Sequence, residues 1–206
     1  MHLARSQSNP GRSVTIGVFR MVFRTEFSRA KLRSTTVLAV RYKGKCAIGA
    51  DGQVTFDDTV IKSTADKLRS LADGKVIVGF AGGVADALTL FDRFEEKLKE
   101  HPRDMRRAAV ELAKEWRMDR ALRRLEALLV AISKKELFLL SGQGDVIEPD
   151  DDIIAIGSGA SYATAAARAL MRHTKEMDAE KIVTEALNIA AEICVYTNEN
   201  IRVVTL

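Results

Sequence analysis

Histidine and cysteine are scarce in this chain of 206 residues, and their scarcity narrows its chemistry. His101 and His173 fall at predicted helix ends beside charged residues, where histidine commonly complements the helix dipole, and His2 lies near the start. A Ser-His-Asp or Cys-His catalytic site is therefore disfavoured. The two cysteines have no CxxC spacing and HExxH is absent, which also disfavours a zinc site. So few cysteines build no disulfide framework and are typical of a reducing compartment.

Two longer patterns are missing as well. No apolar run approaches the roughly 20 residues that a bilayer-spanning helix needs, so no membrane segment is predicted. The phosphate-binding pattern GxxxxGK[ST] is absent, which predicts that this chain does not itself hydrolyse ATP.

The charge of the chain is unevenly distributed. The net charge is +4, but residues 1–34 hold seven basic residues and one acid, and thus carry +6. Residues 35–206 hold 25 basic and 27 acidic residues and carry −2. A slightly acidic body lacks the basic face that phosphate contacts require, so a nucleic-acid partner is not predicted.

Residues 1–34 differ in kind from the rest of the chain. They are rich in Arg and Ser, poor in acid and without sustained periodicity, a composition typical of an organellar transit peptide. A short bacterial propeptide, a disordered tail or a start codon assigned too far upstream, with Met21 as another start, fits equally. We predict a removed leader over 1–34 and one globular domain over 35–206.

Hydrophobic periodicity predicts a mixed domain in which strands come in groups. Because the predicted strands are joined as hairpins, antiparallel sheets are favoured over a doubly wound parallel sheet. Two sheets face to face, with a helix pair on each outer side, would bury every apolar stripe. The predicted strands are 35–40, 46–50, 75–80, 127–132, 136–140, 153–156 and 201–206, and the predicted helices are about 84–98, 104–124, 161–172 and 179–194.

A hydrolase without a histidine base still needs a nucleophile and a base near neutral pKa, and an N-terminal threonine supplies both. Its hydroxyl attacks, and its free α-amine, with a pKa of about 7.7–8.0, takes the proton. Thr35 opens the first predicted strand, and its amine is free only after the preceding bond is cut. The leader would thus mask the base. Taken alone, the pair Thr35-Thr36 is explained equally well by β-propensity.

Further evidence comes from stretches that match the pattern of a known family in the same order along the chain: 35–37, 49–55, 78–86, 109–117, 119–120, 122–127, 142–146, 155–159 and 165–170. Through them the sequence from Thr35 onward resembles the HslV (ClpQ) family, proteasome β-like peptidases that work with the AAA+ unfoldase HslU. The resemblance implies an α+β N-terminal-nucleophile hydrolase fold, a four-layer αββα sandwich. It also implies a threonine endopeptidase subunit of a two-component ATP-dependent protease.

The same resemblance assigns the catalytic residues. It implies Thr35 as the nucleophile, and Lys67 as the neighbouring cation that favours a deprotonated amine. Asp51 would hold Lys67, Gly79 would offer its backbone N–H to the oxyanion, and Ser158 would relay the proton of the amine. Without the resemblance these positions would be interpreted as a surface lysine, a turn, a strand-end glycine and a helix N-cap.

Cofactors and partners are also implied by the resemblance. A monovalent cation, Na⁺ or K⁺, would bind the main-chain carbonyls of Ala191, Cys194 and Thr197, and no organic cofactor is expected. The Cys194 side chain itself is expected to be buried rather than nucleophilic. Two stacked hexameric rings, a dodecamer, would enclose the sites, and HslU would use ATP to feed unfolded protein into them. The compartment is the bacterial cytoplasm, or the mitochondrial matrix if the leader is a transit peptide.

Two positions depart from the family pattern. Ser34 precedes Thr35 where many bacterial members have Met, so endoproteolysis, expected to be autocatalytic, is needed to expose the threonine. Ala160-Ser161 replaces the usual Gly-Pro in the turn that enters a helix near the proposed site. Two other functions fit the same fold: a small-molecule amidase, and a non-catalytic ring scaffold resembling proteasome α-type chains. A scaffold would keep its leader and leave Asp51 and Lys67 unexplained.

Overall fold

A computed structural model describes residues 32–119, 127–141 and 143–206. This part of the chain contains four helices: α1 Val84–Glu100, α2 Met105–Met118, α3 Ala160–His173 and α4 Ala179–Ile193. Its strands are β1 Leu32–Ser34, β2 Thr36–Tyr42, β3 Lys45–Ala50, β4 Val54–Phe56, β5 Thr59–Lys62, β6 Leu68–Leu71, β7 Val76–Gly82, β8 Ala127–Ser133, β9 Leu137–Ser141, β10 Val146–Ile147, β11 Ile153–Gly157 and β12 Arg202–Thr205.

The strands form two large sheets and one small sheet. The five-stranded sheet has the order β10-β9-β8-β7-β6, and the four-stranded sheet has the order β11-β2-β3-β12. A third sheet, β1-β4-β5, joins the strand before Thr35 to a hairpin. All of these pairs are antiparallel, as the hairpin connections predict.

Three apolar clusters divide the domain into four layers. Phe94 and Trp116 of α1 and α2 pack on the five-stranded sheet, and Leu187 of α4 packs on the four-stranded sheet. Val37 and Ile48 lie between the two sheets. Because β2 is covered on both faces, its residues are buried in succession rather than alternately. The predicted αββα sandwich is confirmed.

Polar side chains fix where two of the helices begin. Asp104 accepts a hydrogen bond from the Arg107 backbone N–H at 2.8 Å, at the start of α2. Asp178 accepts one from the Lys181 N–H at 3.1 Å, at the start of α4. Each carboxylate satisfies an amide that the first helical turn leaves unpaired. No helix in the described part of the chain combines the length and the hydropathy needed to cross a bilayer.

The structure corrects several predicted elements. The first predicted strand, 35–40, corresponds to β2 and begins at Thr36, because Thr35 has a positive φ angle that interrupts the extended backbone. Helix α2 ends at Met118 instead of continuing to 124. Residues 120–126 lie outside the described residues. Five strands, β1, β4, β5, β6 and β10, were not predicted because each has only two to four residues. The small third sheet was therefore missed entirely.

Two isoleucines test the layered core. Ile48 is fully buried between the sheets, whereas Ile61 on β5 is 65% exposed. We expect Ile48→Ala to lower the free energy of unfolding by about 2–5 kcal/mol, because it leaves a cavity. Ile61→Ala, the matched control, should change it by about 0.5 kcal/mol or less. Urea unfolding measures both, and equal losses for the two variants would contradict the described packing.

Candidate active site

Thr35 stands at a break between two sheets. The strand before it, β1, pairs with β4, while the strand after it, β2, pairs with β3 and β11. The φ angle of Thr35 is +98°, a conformation that β-branched residues rarely adopt and that costs about 1–3 kcal/mol. Thr35 is also 2% exposed, so the surrounding structure holds the chain in this strained geometry.

The turn after β11 packs directly on the two threonines. The Ser158 N–H donates to the Thr35 carbonyl at 2.9 Å, and the Gly159 N–H donates to Thr36 Oγ1 at 3.0 Å. Gly157 has a φ of +94°, and a Cβ atom there would lie 1.8 Å from the Thr35 carbonyl oxygen. Only glycine permits this approach. The turn therefore brings the Ser158 backbone next to Thr35, and the role of the Ser158 hydroxyl as a relay stays a prediction.

A buried ion pair adjoins the same segment. Lys67 Nζ lies 2.9 Å from Asp51 Oδ1, and the two side chains are 3% and 1% exposed. The Thr36 N–H donates to that same oxygen at 2.6 Å. The other carboxylate oxygen, Asp51 Oδ2, accepts from the N–H groups of Gln53 at 2.9 Å and Asn198 at 3.3 Å. Lys67 also donates to the Gln53 carbonyl at 2.8 Å, so both charges are extensively hydrogen-bonded.

The burial of this pair has electrostatic consequences. Desolvation lowers the pKa of Lys67, and the Asp51 carboxylate partly offsets that effect. Because Lys67 and the Thr36 amide share one carboxylate oxygen, the lysine lies close to the backbone that follows Thr35. The predicted role of Lys67, to favour a deprotonated amine on Thr35, stays a prediction.

Gly79 lies inside the five-stranded sheet. It pairs with Leu68 on β6 and Val130 on β8, and a Cβ atom on it would lie 2.6 Å from Val37 Cγ1. The glycine therefore lets the two sheets pack closely two residues after Thr35. Its predicted role as oxyanion donor stays a prediction.

Sequence reasoning overlooked Ala81, which lies nearer to the threonine turn. A Cβ atom built on Gly157 would lie 3.5 Å from Ala81 Cβ. β6 pairs with β7 only as far as Gly79, whereas β8 continues to Gly82, so this end of β7 extends past its neighbour. β1 also contacts β7. An alanine at a strand end carries no signal that would have revealed this placement.

The three residues predicted to hold a cation lie at the end of α4. Ala191 is in the last turn, Cys194 caps the helix, and the Thr197 N–H donates to the Cys194 carbonyl at 3.1 Å. A helix C-terminus leaves carbonyls unpaired and carries partial negative charge. Thr197 Oγ1 is buried and has no hydrogen-bond partner among the described residues. Carbonyl oxygens with an orphaned hydroxyl fit a Na⁺ or K⁺ ion. The Cys194 side chain is buried.

The ion pair can be tested by a double-mutant cycle. Lys67→Met or Asp51→Asn alone should destabilise the chain by about 3–5 kcal/mol, because each leaves a buried partner without its counterion. The double variant should lose clearly less than the sum of the two. Urea unfolding of the four proteins measures this, and strictly additive losses would mean that the two charges do not interact.

Comparisons with known proteins identify the family of this chain. Residues 32–206 match the family model of the proteasome subunit. The chain is 57% identical over 173 residues to the ATP-dependent protease subunit HslV of Amoebophilus asiaticus, covering 84% of this chain and 97% of the relative. It is 54% identical over 175 residues to the same subunit of Cytophaga hutchinsonii, covering 85% and 97%. The crystal structure of eukaryotic HslV from Trypanosoma brucei superposes with a TM-score of 0.79 at 50% identity, covering 83% of this chain and 98% of that one. The predicted family is confirmed, and the chain belongs to the HslV branch of the proteasome family.

Proposed function

We propose that this chain is the threonine endopeptidase subunit of a two-component ATP-dependent protease, with Thr35 as its nucleophile. Its family membership makes it a protease subunit. The observation that carries the assignment to Thr35 is the Asp51 oxygen shared by the Lys67 ammonium and the Thr36 amide. It supports a buried cation beside the residue that becomes the N-terminus. A non-catalytic scaffold would not need a cation at this position.

Processing must come first, because the Thr35 nitrogen is bonded to Ser34. We propose that Thr35 Oγ adds to the Ser34 carbonyl carbon and that the C–N bond then breaks. The released amine takes the hydroxyl proton, and water hydrolyses the resulting ester. The strained backbone of Thr35 supports this step, since cleavage releases its constraint.

Peptide hydrolysis would then use the same atoms. The free amine of Thr35 takes the hydroxyl proton, and Oγ attacks the substrate carbonyl to form an ester with the acyl half. The proton passes to the leaving amine, and water hydrolyses the ester. Lys67 would keep the Thr35 amine neutral so that it can act as the base, and Ser158 would relay its proton. Backbone N–H groups of β7 stabilise the oxyanion, with Gly79 as the candidate from sequence and Ala81 as the candidate beside the threonine turn.

The leader strand indicates where substrate lies. β1 pairs with β4 and contacts β7, and it ends one residue before Thr35. We propose that the acyl side of a substrate takes the place of β1 once the leader is gone. Strand addition relies on main-chain hydrogen bonds, which every peptide can make. The site would thus accept many unfolded sequences.

Such an unselective site needs confinement, which we propose comes from a dodecamer of two hexameric rings. The AAA+ unfoldase HslU would feed substrate and hydrolyse ATP. The relatives are named ATP-dependent, and this sequence contains no phosphate-binding loop. A monovalent cation bound by the carbonyls of Ala191, Cys194 and Thr197 would offset their partial negative charges and stabilise the loop after α4. We propose a bacterial cytoplasmic location, or the mitochondrial matrix if the leader is a transit peptide.

Replacing the nucleophile tests the proposal. Thr35→Ala should lower the turnover of a fluorogenic peptide and of an unfolded protein by about 10³-fold or more, because no hydroxyl remains. Thr35→Ser keeps hydroxyl and amine and should retain measurable turnover. Each variant is produced with its N-terminus at residue 35 and assayed with the unfoldase and ATP. Substantial turnover by Thr35→Ala would refute the mechanism.

A further inference from the structure

The loop that carries Asp51 and the loop that leads to Lys67 touch through their backbones. A Cβ atom on Gly52 would lie 2.3 Å from the Ser63 carbonyl oxygen, so only glycine fits there. The Ala65 N–H donates to the Gly52 carbonyl at 2.8 Å. The separation of these two loops therefore affects the distance between Lys67 Nζ and the Asp51 carboxylate.

A third segment bridges the two loops at this contact. Asn198, in the loop after α4, accepts from the Gly52 N–H at 3.2 Å through Oδ1. Through Nδ2 it donates to the Ser63 carbonyl at 3.0 Å. Its backbone N–H donates to Asp51 Oδ2 at 3.3 Å. One side-chain amide therefore uses its acceptor on the loop of the acid and its donor on the loop of the lysine.

We propose that Asn198 is a positioning residue that sets the spacing between the Asp51 and Lys67 loops and thereby aligns the lysine with Thr35. The inference rests on the proposed function of Thr35. A planar amide holds its donor and acceptor at a fixed separation, which makes it a rigid spacer. Alanine provides neither group. Aspartate provides the acceptor but lacks the donor, and it places a negative charge against the Ser63 carbonyl oxygen and near Asp51.

Asn200 offers a matched control. It is the same residue type two positions later, and its Nδ2 donates to the same Ser63 carbonyl at 2.9 Å. Its backbone N–H donates to Asn198 Oδ1 at 3.2 Å, which a side-chain substitution preserves. Within the described residues it makes no hydrogen bond to Asp51 or Gly52. Its removal loosens the same loop without removing the bridge.

The test compares Asn198→Ala, Asn198→Asp and Asn200→Ala with the parent chain and Thr35→Ala. Each processed protein is assayed with its unfoldase and ATP on a short fluorogenic peptide. Active sites are counted by mass spectrometry after labelling with a peptide vinyl sulfone, so that kcat refers to competent sites. Urea unfolding reports stability separately.

Misalignment of a catalytic group by about 1 Å can cost about 10²-fold in rate. We therefore expect both Asn198 variants to lower kcat per labelled site by about 10-fold or more, with KM changed by about 2-fold or less. Asn200→Ala should keep kcat within about 2-fold. Asn198→Ala should unfold at a lower urea concentration than Asn200→Ala, since it removes three side-chain hydrogen bonds and Asn200→Ala removes one. Turnover is therefore compared under conditions in which both variants are fully folded.

Several results would overturn the proposal. Parental kcat in Asn198→Ala, full kcat in Asn198→Asp, or an equal loss in Asn200→Ala would each show that the bridge does not position the pair. If Asn198→Ala does not fold, Asn198→Asp alone decides. Should these results appear while Thr35→Ala is inactive, only the role of Asn198 fails. An active Thr35→Ala refutes the proposed function and this inference together.

Discussion

The buried ion pair between Asp51 and Lys67 is the constraint around which the candidate site is arranged. Two charges that are at most 3% exposed are tolerated only with many hydrogen bonds, and those bonds come from four separate segments. The donors to Asp51 are Thr36 on β2, Gln53 in the turn after β3, Asn198 in the loop after α4, and Lys67 in the loop before β6. The hydrogen bond from the Thr36 N–H to Asp51 thus holds the first residues of β2 in place, and with them Thr35.

Thr35 also lies at the boundary between two sheets. On one side the chain belongs to the core sandwich, and on the other it belongs to a small sheet that the core does not need for its layers. A strained residue separates the two. Under the proposed function, cutting at this boundary frees the amine and opens the strand position to substrate. One cleavage before Thr35 would then remove the leader, activate the nucleophile and vacate the position that substrate occupies.

Sequence was sufficient for the features that depend on apolar periodicity. Phe94 and Trp116, on the buried faces of α1 and α2, and the continuous apolar run of β2 specify the four layers, and the structure confirms them. Short strands such as β5 escaped because four exposed residues give no periodic signal. Asn198 was missed because its importance comes from neighbours 135 and 146 positions away, which no local pattern encodes. The residue roles, the cation, the ring assembly and the compartment stay predictions.

The most direct test of the account is the intact mass of the active chain. Protein is purified from cells that express all 206 residues, and its intact mass is measured by mass spectrometry before and after reaction with a peptide vinyl sulfone. The account predicts the mass of residues 35–206, followed by one adduct that peptide mapping locates on Thr35. A fully active chain that still carries Ser34 on the nitrogen of Thr35 would contradict it.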